Sequence, residues 1–251
     1  MADPDGSPDE TLDAVSGGAL VLAQRRAGYR FNQDSVLLAR FACAAAIPDD
    51  GRAVDLGTGS GIVALLLARW CPSWRVTGVE VQPGFVARAR SNAERNGLPV
   101  DVVEADYRLP VPALPAGGFH LVVSNPPFHA AETGRTSPDP EKAIARQEVL
   151  GSVEEVVKAS KRLLRSDGRL CVVYPAPALG RVAVALSAAG FVPTRWRFVH
   201  GHQGAAASVV LVEAQPGGRR VAVVEPPLLL LGADGAESDE ARRWLRSPQA
   251  A

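Results

Sequence analysis

Three glycines at alternate positions, Gly57, Gly59 and Gly61, follow a short apolar strand that contains a carboxylate, Asp55. Without side chains, this backbone can wrap closely around a bound small molecule. The apolar run 62–68 that follows predicts a buried helix packed on a sheet. A strand, a glycine-rich loop and a helix in this order predict a site for a nucleotide-type cofactor, although any α/β domain can contain a glycine-rich turn.

The spacing of the glycines separates two classes of cofactor. Dinucleotide enzymes use the pattern G-x-G-x-x-G, whose loop and helix N-terminus receive a pyrophosphate. Here Gly61 comes one residue too early for that pattern, and Asp55 would repel a phosphate. S-adenosylmethionine has no phosphate and carries cationic sulfonium and ammonium groups, which are compatible with a carboxylate. The loop therefore favours S-adenosylmethionine over a nicotinamide dinucleotide.

Two further carboxylates stand at the ends of predicted strands. The strand 75–80 ends at Glu80, 19 residues beyond Gly61. A carboxylate at this place can accept hydrogen bonds from both hydroxyl groups of a ribose. The strand 100–104 leads to Asp106, which could bond the amino group of an adenine, although a solvated Asp in a turn is the alternative.

A fourth strand, 119–124, runs directly into Asn125-Pro126-Pro127-Phe128. Two consecutive prolines cannot continue a ladder, so they end the strand in a rigid bend. The Asn125 side-chain oxygen and the Pro126 carbonyl can each accept an N–H bond from a planar amino or carboxamide nitrogen, and Phe128 can stack on a base. These four are the candidate catalytic residues for methylation of such a nitrogen. Taken alone, Asn-Pro-Pro is also an ordinary turn sequence.

Strands alternate with helical segments through the middle of the chain, which predicts a parallel sheet with crossover helices on both faces. Ligands of such sheets bind beyond the carboxyl ends of the strands. We therefore expect the glycine loop and Asn125 at the same edge of the sheet.

The composition places limits on domain organisation and partners. The 251 residues suit one large domain, and 27 basic residues balance 27 acidic ones. We expect an acidic, disordered tail over residues 1–18, a single domain over 19–231 and a C-terminal tail over 232–251. The segment 19–31 predicts a small hairpin that turns near Gly28.

Targeting and metal signals are weak in this sequence. The three cysteines and four histidines show no metal-ligand spacing, so no metal is expected and the thiols are expected to be reduced. No apolar run approaches the roughly 18 residues of a membrane span, and the N-terminus lacks the apolar core of a signal peptide. We therefore expect a cytoplasmic protein with no membrane association.

The glycine loop, Glu80, Asp106 and the Asn125–Phe128 motif together resemble class I S-adenosylmethionine-dependent methyltransferases that modify amino groups. The segment 31–39 and the later segment 136–148 resemble, within that class, bacterial tRNA(Val) adenine-N6-methyltransferases, which modify the adenosine beside the anticodon. The resemblance implies a Rossmann-like α/β fold with a seven-stranded, mostly parallel sheet whose last strand is reversed. It also implies an RNA substrate, a tRNA first of all, and places Asp34 near the cofactor. By itself, Asp34 also reads as part of a helix N-cap.

The cofactor-binding residues expected from these observations span five parts of the chain: Asp34, Asp55, Gly57, Gly59, Gly61, Glu80, Asp106 and Asn125. A glutamine-N5-methyltransferase of peptide release factors would use the same motifs on a protein amide. Those enzymes carry a helical domain ahead of the core, whereas only about 50 residues precede Asp55. A ribosomal RNA N-methyltransferase, a nicotinamide-dependent oxidoreductase and a cofactor-binding protein without catalysis remain as further alternatives.

Overall fold

A computed structural model describes residues 10–26, 32–127, 151–217 and 222–247. The strands are β1 (Glu10–Val15), β2 (Leu20–Arg25), β3 (Arg52–Leu56), β4 (Arg75–Glu80), β5 (Val100–Glu104), β6 (Phe119–Ser124), β7 (Leu164–Pro175), β8 (Phe191–His200), β9 (Ala207–Pro216), β10 (Val223–Val224) and β11 (Leu228–Leu229). The helices are α1 (Gln33–Cys43), α2 (Ile62–Trp70), α3 (Pro83–Arg95), α4 (Val153–Leu163), α5 (Leu179–Ala188) and α6 (Asp239–Arg246), and a single 3₁₀ turn spans Ala176–Ala178.

The main sheet has the spatial order β10-β8-β9-β7-β6-β3-β4-β5, and β11 also pairs with β8. The strands β5, β4, β3, β6 and β7 are parallel, whereas β9 is antiparallel to both β7 and β8. The predicted seven-stranded sheet with a reversed last strand is therefore confirmed. Two short parallel strands, β10 and β11, extend it at β8.

Apolar side chains from the central strands fill both faces of this sheet. Successive residues of a strand point to opposite faces, so Ala53 lies in one buried cluster and Val54 in the other. The helices α1 and α2 cover the first face, and α4 and α5 cover the second. This two-sided burial fixes the carboxyl ends of β3, β4 and β6 at one edge, where the site lies.

The N-terminal hairpin differs from its prediction. Residues 10–15 form β1, which pairs antiparallel with β2, and the chain turns at residues 16–19. The expected disordered tail is therefore wrong for these residues. The predicted turn near Gly28 lies outside the described residues. The hairpin is held by side chains of α3, because Asn92 and Asn96 bond the backbone of Ala23 and Val21 on the outer edge of β2.

Within the expected C-terminal tail, residues 239–247 pack against the domain. Helix α6 begins at Ser238, whose hydroxyl accepts the backbone N–H of Ala241. The guanidinium of the buried Arg40 in α1 donates to the carbonyl oxygens of Trp244 and Ser247. Arg197 of β8 lies over the Trp244 ring at 4.4 Å. Among the helices of the described ranges, none is long and apolar enough to cross a bilayer.

Candidate functional site

The loop between β3 and α2 forms the floor of the site. Gly57 and Gly59 have φ values of 73° and 57°, a left-handed conformation that side-chain-bearing residues rarely adopt. The backbone N–H groups of Gly57 and Thr58 donate to the Val79 carbonyl oxygen at 2.9 and 3.0 Å. These two bonds fold the loop against the end of β4.

Gly61 has a different position from the other two glycines. It is the N-cap of α2 with a φ of 92°, and a Cβ atom there would lie 3.3 Å from the Ala89 Cβ atom on α3. It is also absent from the described residues that line the site cavity. Gly61 thus allows α2 and α3 to approach each other, and its predicted contact with a cofactor stays a prediction.

Asp55 is buried at the end of β3, with only 1 % of its surface exposed. Its carboxylate accepts the Thr58 hydroxyl at 2.6 Å and a backbone hydrogen bond from Ala64. Burial outweighs both bonds and raises the Asp55 pKa to about 7, and the nearby charge of Glu80 adds to that rise. A buried carboxylate of this kind is strongly favourable for a bound cation, which would stabilise its ionised form.

Glu80 ends β4 and is bonded entirely by backbone groups. One carboxylate oxygen accepts the N–H groups of Val81 and Gln82, and the other accepts the N–H of Gly59 at 3.0 Å. Burial still raises the pKa of Glu80 above its ordinary value. A carboxylate offers about four hydrogen-bond acceptor positions, and the backbone N–H groups of Val81, Gln82 and Gly59 occupy three of them. One position therefore remains for a ribose hydroxyl.

Asn125 follows β6 and lines the same cavity. Its side-chain Nδ2 donates to the Ser35 hydroxyl of α1 at 3.0 Å, which fixes the direction of the carboxamide. The buried hydroxyl of Ser124 donates to the Leu56 carbonyl oxygen at 2.8 Å and ties the end of β6 to the end of β3. Pro126 and Pro127 also line the cavity, whereas Phe128 lies outside the described residues.

Two predicted carboxylates stand apart from this cavity. Asp34 lies in the first turn of α1, where it accepts a bond from the Asn32 side chain, and burial raises its pKa. Asp106 forms a bidentate pair with Arg108, and this bond lowers the Asp106 pKa. Neither side chain is among the described residues that line the cavity, so both stay predictions as cofactor ligands.

The cavity bounded by these elements has a volume of about 280 Å³, just below the roughly 300–1,000 Å³ usual for small-molecule sites. Among its described lining residues there are two carboxylates, Asp55 and Glu80, and no Lys, Arg or His. This charge suits a cationic ligand and opposes a pyrophosphate. Metal-binding groups of three or more His, Cys, Asp or Glu side chains do not occur in the described ranges.

Several lining residues were not named from the sequence as site residues, although Asn32 and Ser35 belong to the segment that the family resemblance placed near the cofactor. They are Asn32, Ser35, Thr58, Gln82, Phe85 and Tyr107. A glycine inside a strand, such as Gly78 of β4, indicates that another group packs closely against it. In the structure that group is Thr58, whose methyl group would lie 2.9 Å from a Cβ atom at Gly78. The positions of Asn32 and Ser35 follow from the start of α1 beside Asn125, which no sequence spacing specifies.

The family model described as the methyltransferase small domain matches residues 30–180. A tRNA1(Val) (adenine(37)-N6)-methyltransferase from Porphyromonas gingivalis is 33% identical over 153 residues, which is 58% of this chain and 58% of the relative. The chain thus matches less than two thirds of that relative's length. A release factor glutamine methyltransferase from Geobacter sulfurreducens is 42% identical over 81 residues, or 32% of this chain and 28% of that protein.

The fold also occurs among solved structures. A predicted O-methyltransferase from Agrobacterium tumefaciens has a TM-score of 0.66 and 23% sequence identity, covering 84% of this chain and 94% of that one. At this level of identity the likeness shows the fold, which is the Rossmann-like α/β fold expected from the alternating strands and helices.

Proposed function

Because the chain belongs to the methyltransferase small domain family, we propose that it transfers a methyl group from S-adenosylmethionine to the exocyclic N6 of an adenine in RNA, with a tRNA as the first candidate. The observation that supports this proposal most is the position of Asn125. Asn125 lines a cavity with two buried carboxylates, and its carboxamide is bonded to Ser35. A tRNA substrate would place the enzyme in the cytoplasm.

The cofactor fits the residues that line this cavity. Asp55 and Glu80 supply negative charge and hydrogen-bond acceptors, and the left-handed glycines leave the loop backbone open to the ligand. We assign the remaining acceptor position of Glu80 to a ribose hydroxyl, and Asp55 to the ammonium group. When bound, S-adenosylmethionine supplies an electrophilic methyl group on its sulfonium sulfur.

Asn125 acts on the acceptor nitrogen. An exocyclic amine of adenine is a weak nucleophile, because its lone pair is delocalised into the ring. With the Asn125 Nδ2 atom bonded to Ser35, we assign the Asn125 Oδ1 atom to accept one N–H of the adenine amine. The Pro126 carbonyl can accept the other N–H, so the lone pair points away from both acceptors and towards the donor. Fixed acceptors of this kind stabilise the positive charge that develops on the nitrogen.

The transferred methyl replaces one proton on the acceptor nitrogen. A strong base is not required for this step, since the methylated nitrogen is acidic until it loses that proton. Phe128 is assigned to stacking on the adenine, which contributes about 1–3 kcal/mol for a base on an aromatic ring. The base must leave its stack in the RNA to reach Asn125.

A glutamine-N5-methyltransferase acting on a peptide release factor is the second candidate. The stretch of 81 residues that is 42% identical to such an enzyme supports it. A carboxamide nitrogen has the same planar geometry and two N–H groups, so Asn125 and Pro126 would serve it equally well. A ribosomal RNA adenine would also fit the same acceptors.

The test supplies labelled S-adenosylmethionine to unmodified total tRNA, ribosomal RNA and peptide release factors in parallel, followed by nucleoside and peptide mass analysis. We expect label in tRNA as N6-methyladenosine. Label on a release-factor glutamine would support the second candidate and refute the first. Label in none of the three pools, with cofactor binding intact, would indicate a different acceptor.

The Asn125→Ala variant tests the role of the acceptor residue. We expect transfer to fall by a factor of about 100 or more, while the cofactor dissociation constant changes by no more than a few fold. Asn96→Ala is the matched control, because Asn96 bonds the hairpin and is not among the described cavity residues. Equal losses of transfer and cofactor binding in Asn125→Ala would make Asn125 mainly a cofactor residue.

A further inference from the structure

Two cysteines lie in contact at the far ends of the helices that approach the cavity. Cys43 is the last residue of α1, and Cys71 directly follows α2. Their sulfur atoms are 3.0 Å apart although the residues are 28 positions apart in the chain. Both side chains are half-buried, whereas the third cysteine, Cys171, is fully buried in the sheet.

The surroundings of this pair favour a thiolate on Cys71. The hydrogen bond from Cys43 lowers the Cys71 pKa, burial opposes this, and the charge of Arg40 adds to the lowering. The guanidinium of Arg40 is fixed in place, because it lies 3.7 Å from the centroid of the Trp70 ring and donates to the carbonyl oxygens at the end of α6. Thiolates react with disulfides, while neutral thiols do not.

We propose that Cys43 and Cys71 form a reversible intrachain disulfide when the protein meets a small-molecule disulfide such as oxidised glutathione. A disulfide has its two sulfur atoms about 2.05 Å apart, so the sulfur atoms must approach by roughly 1 Å. The last turn of α1 and the residues after α2 can provide this movement. This proposal is independent of the proposed methyl transfer.

The reaction balances in two exchange steps. The Cys71 thiolate attacks one sulfur of oxidised glutathione, forms a mixed disulfide and releases one glutathione thiolate. Cys43 then loses its proton, attacks the Cys71 sulfur and releases the second glutathione. Two protein thiols are oxidised and one glutathione disulfide is reduced to two thiols. In a reducing compartment such a bond forms only under oxidising conditions and is reversed afterwards.

The bond would connect the two helices that approach the cavity from one face. Ser35 stands at the other end of α1, and Ile62 and Val63 at the start of α2 line the cavity. The cross-link closes a loop that contains β3, the glycine loop and α2. Loop closure of this length stabilises the folded state, and we expect a rise in Tm of about 5–10 °C.

The experiment incubates the full reduced chain with oxidised glutathione at several ratios to reduced glutathione, then blocks free thiols with an alkylating reagent. Intact mass and peptide mapping identify the bond. The alkylation is done in denaturant, because Cys171 is buried in the folded protein. We expect the wild type to lose the mass of two hydrogen atoms before alkylation, to take up the reagent on one cysteine, Cys171, and to give a linked peptide pair containing Cys43 and Cys71. Reduction should restore three alkylated cysteines and the original Tm.

Three serine variants serve as matched controls. Cys171→Ser should still form the bond, whereas Cys43→Ser and Cys71→Ser should not. The peptide map of the oxidised wild type identifies the bond by itself, so the proposal can be tested even if a variant folds poorly. Three alkylated cysteines after oxidation of the wild type, or a linked pair that contains Cys171, would overturn the proposal.

Discussion

The pKa of Asp55 leads to a quantitative prediction for cofactor binding. Burial raises this pKa to about 7, so the carboxylate titrates in a range that is convenient for experiment. If the ionised form binds the cofactor's ammonium group, the affinity falls as the pH decreases through about 7. With one titrating group, the ionised fraction drops from about nine-tenths at pH 8 to about one-tenth at pH 6. We therefore expect the cofactor dissociation constant to rise about tenfold between these two values.

Isothermal titration calorimetry with S-adenosylmethionine measures this dependence, and Asp55→Asn is the matched variant. The ligand's own amino group titrates near pH 8, but it does so for both proteins. The ratio of the wild-type constant to that of the variant isolates the contribution of Asp55. A ratio that stays constant from pH 8 to pH 6 would refute the assignment of Asp55 to the cofactor.

The Asp55→Asn variant should weaken cofactor binding but stabilise the fold without cofactor. A carboxyl group whose pKa is raised in the folded protein contributes stability below its ordinary pKa of 3.8, and this contribution is lost as the pH rises through about 7. The difference between the two pKa values corresponds to roughly 4 kcal/mol. Without cofactor at pH 8, Asp55→Asn should therefore raise the free energy of unfolding by up to this amount in urea denaturation. A less stable variant at pH 8 would show that the Asp55 hydrogen bonds outweigh its burial.

Three further substitutions test other parts of the site. Ser35→Ala leaves the Nδ2 atom of Asn125 without this acceptor, which costs about 1–3 kcal/mol, so we expect kcat to fall about 5- to 160-fold with cofactor affinity unchanged. Ser35→Thr should retain more activity, and an equal loss in both variants would contradict the role of the hydroxyl. Glu80→Ala should weaken cofactor binding at least about tenfold in calorimetry, and an unchanged constant would remove Glu80 from the site. Gly61→Ala should lower Tm by several degrees more than Gly97→Ala, because both have positive φ but only Gly61 faces a packed helix.

The fold could be predicted well from the sequence because its signals are local. The strands 75–80, 100–104 and 119–124 were predicted with the bounds that the structure has. Ser152 and Glu155 show the spacing of a capping box, and the structure contains both of its hydrogen bonds. Apolar periodicity and caps depend on neighbouring residues, so the sequence specifies them directly.

The site was predicted less completely because it depends on contacts between distant residues. The segment containing Asp34 was expected near the cofactor, but the helical turn places Ser35 rather than Asp34 against Asn125. Asp106 was expected to bond an adenine, which stays a prediction, and its carboxylate pairs with Arg108, only two residues away. Neither outcome can be read from the spacing of motifs alone.

The strand β1 was missed for a similar reason, although a hairpin over 19–31 was predicted. Leu12 of β1 is 41% exposed and Ala14 is also exposed, so the apolar residues of this strand do not mark a buried face. Its partner strand β2 is held in place by side chains of α3, some 70 residues later in the chain. A strand that depends on side chains far away in the sequence cannot be predicted from its own residues alone.

The bonds from Asn92 and Asn96 to β2 have a consequence for association between molecules. A strand edge exposes N–H and C=O groups that can recruit a strand of another chain. Here each asparagine gives one acceptor and one donor to that edge, at Ala23 and Val21, so the carboxamides imitate the backbone of a neighbouring strand. Asn92 also donates to the Ser60 carbonyl oxygen of the glycine loop. The end of α3 and its C-cap residue thus cover the β2 edge of the hairpin, and Asn92 links this edge to the loop that lines the ligand site.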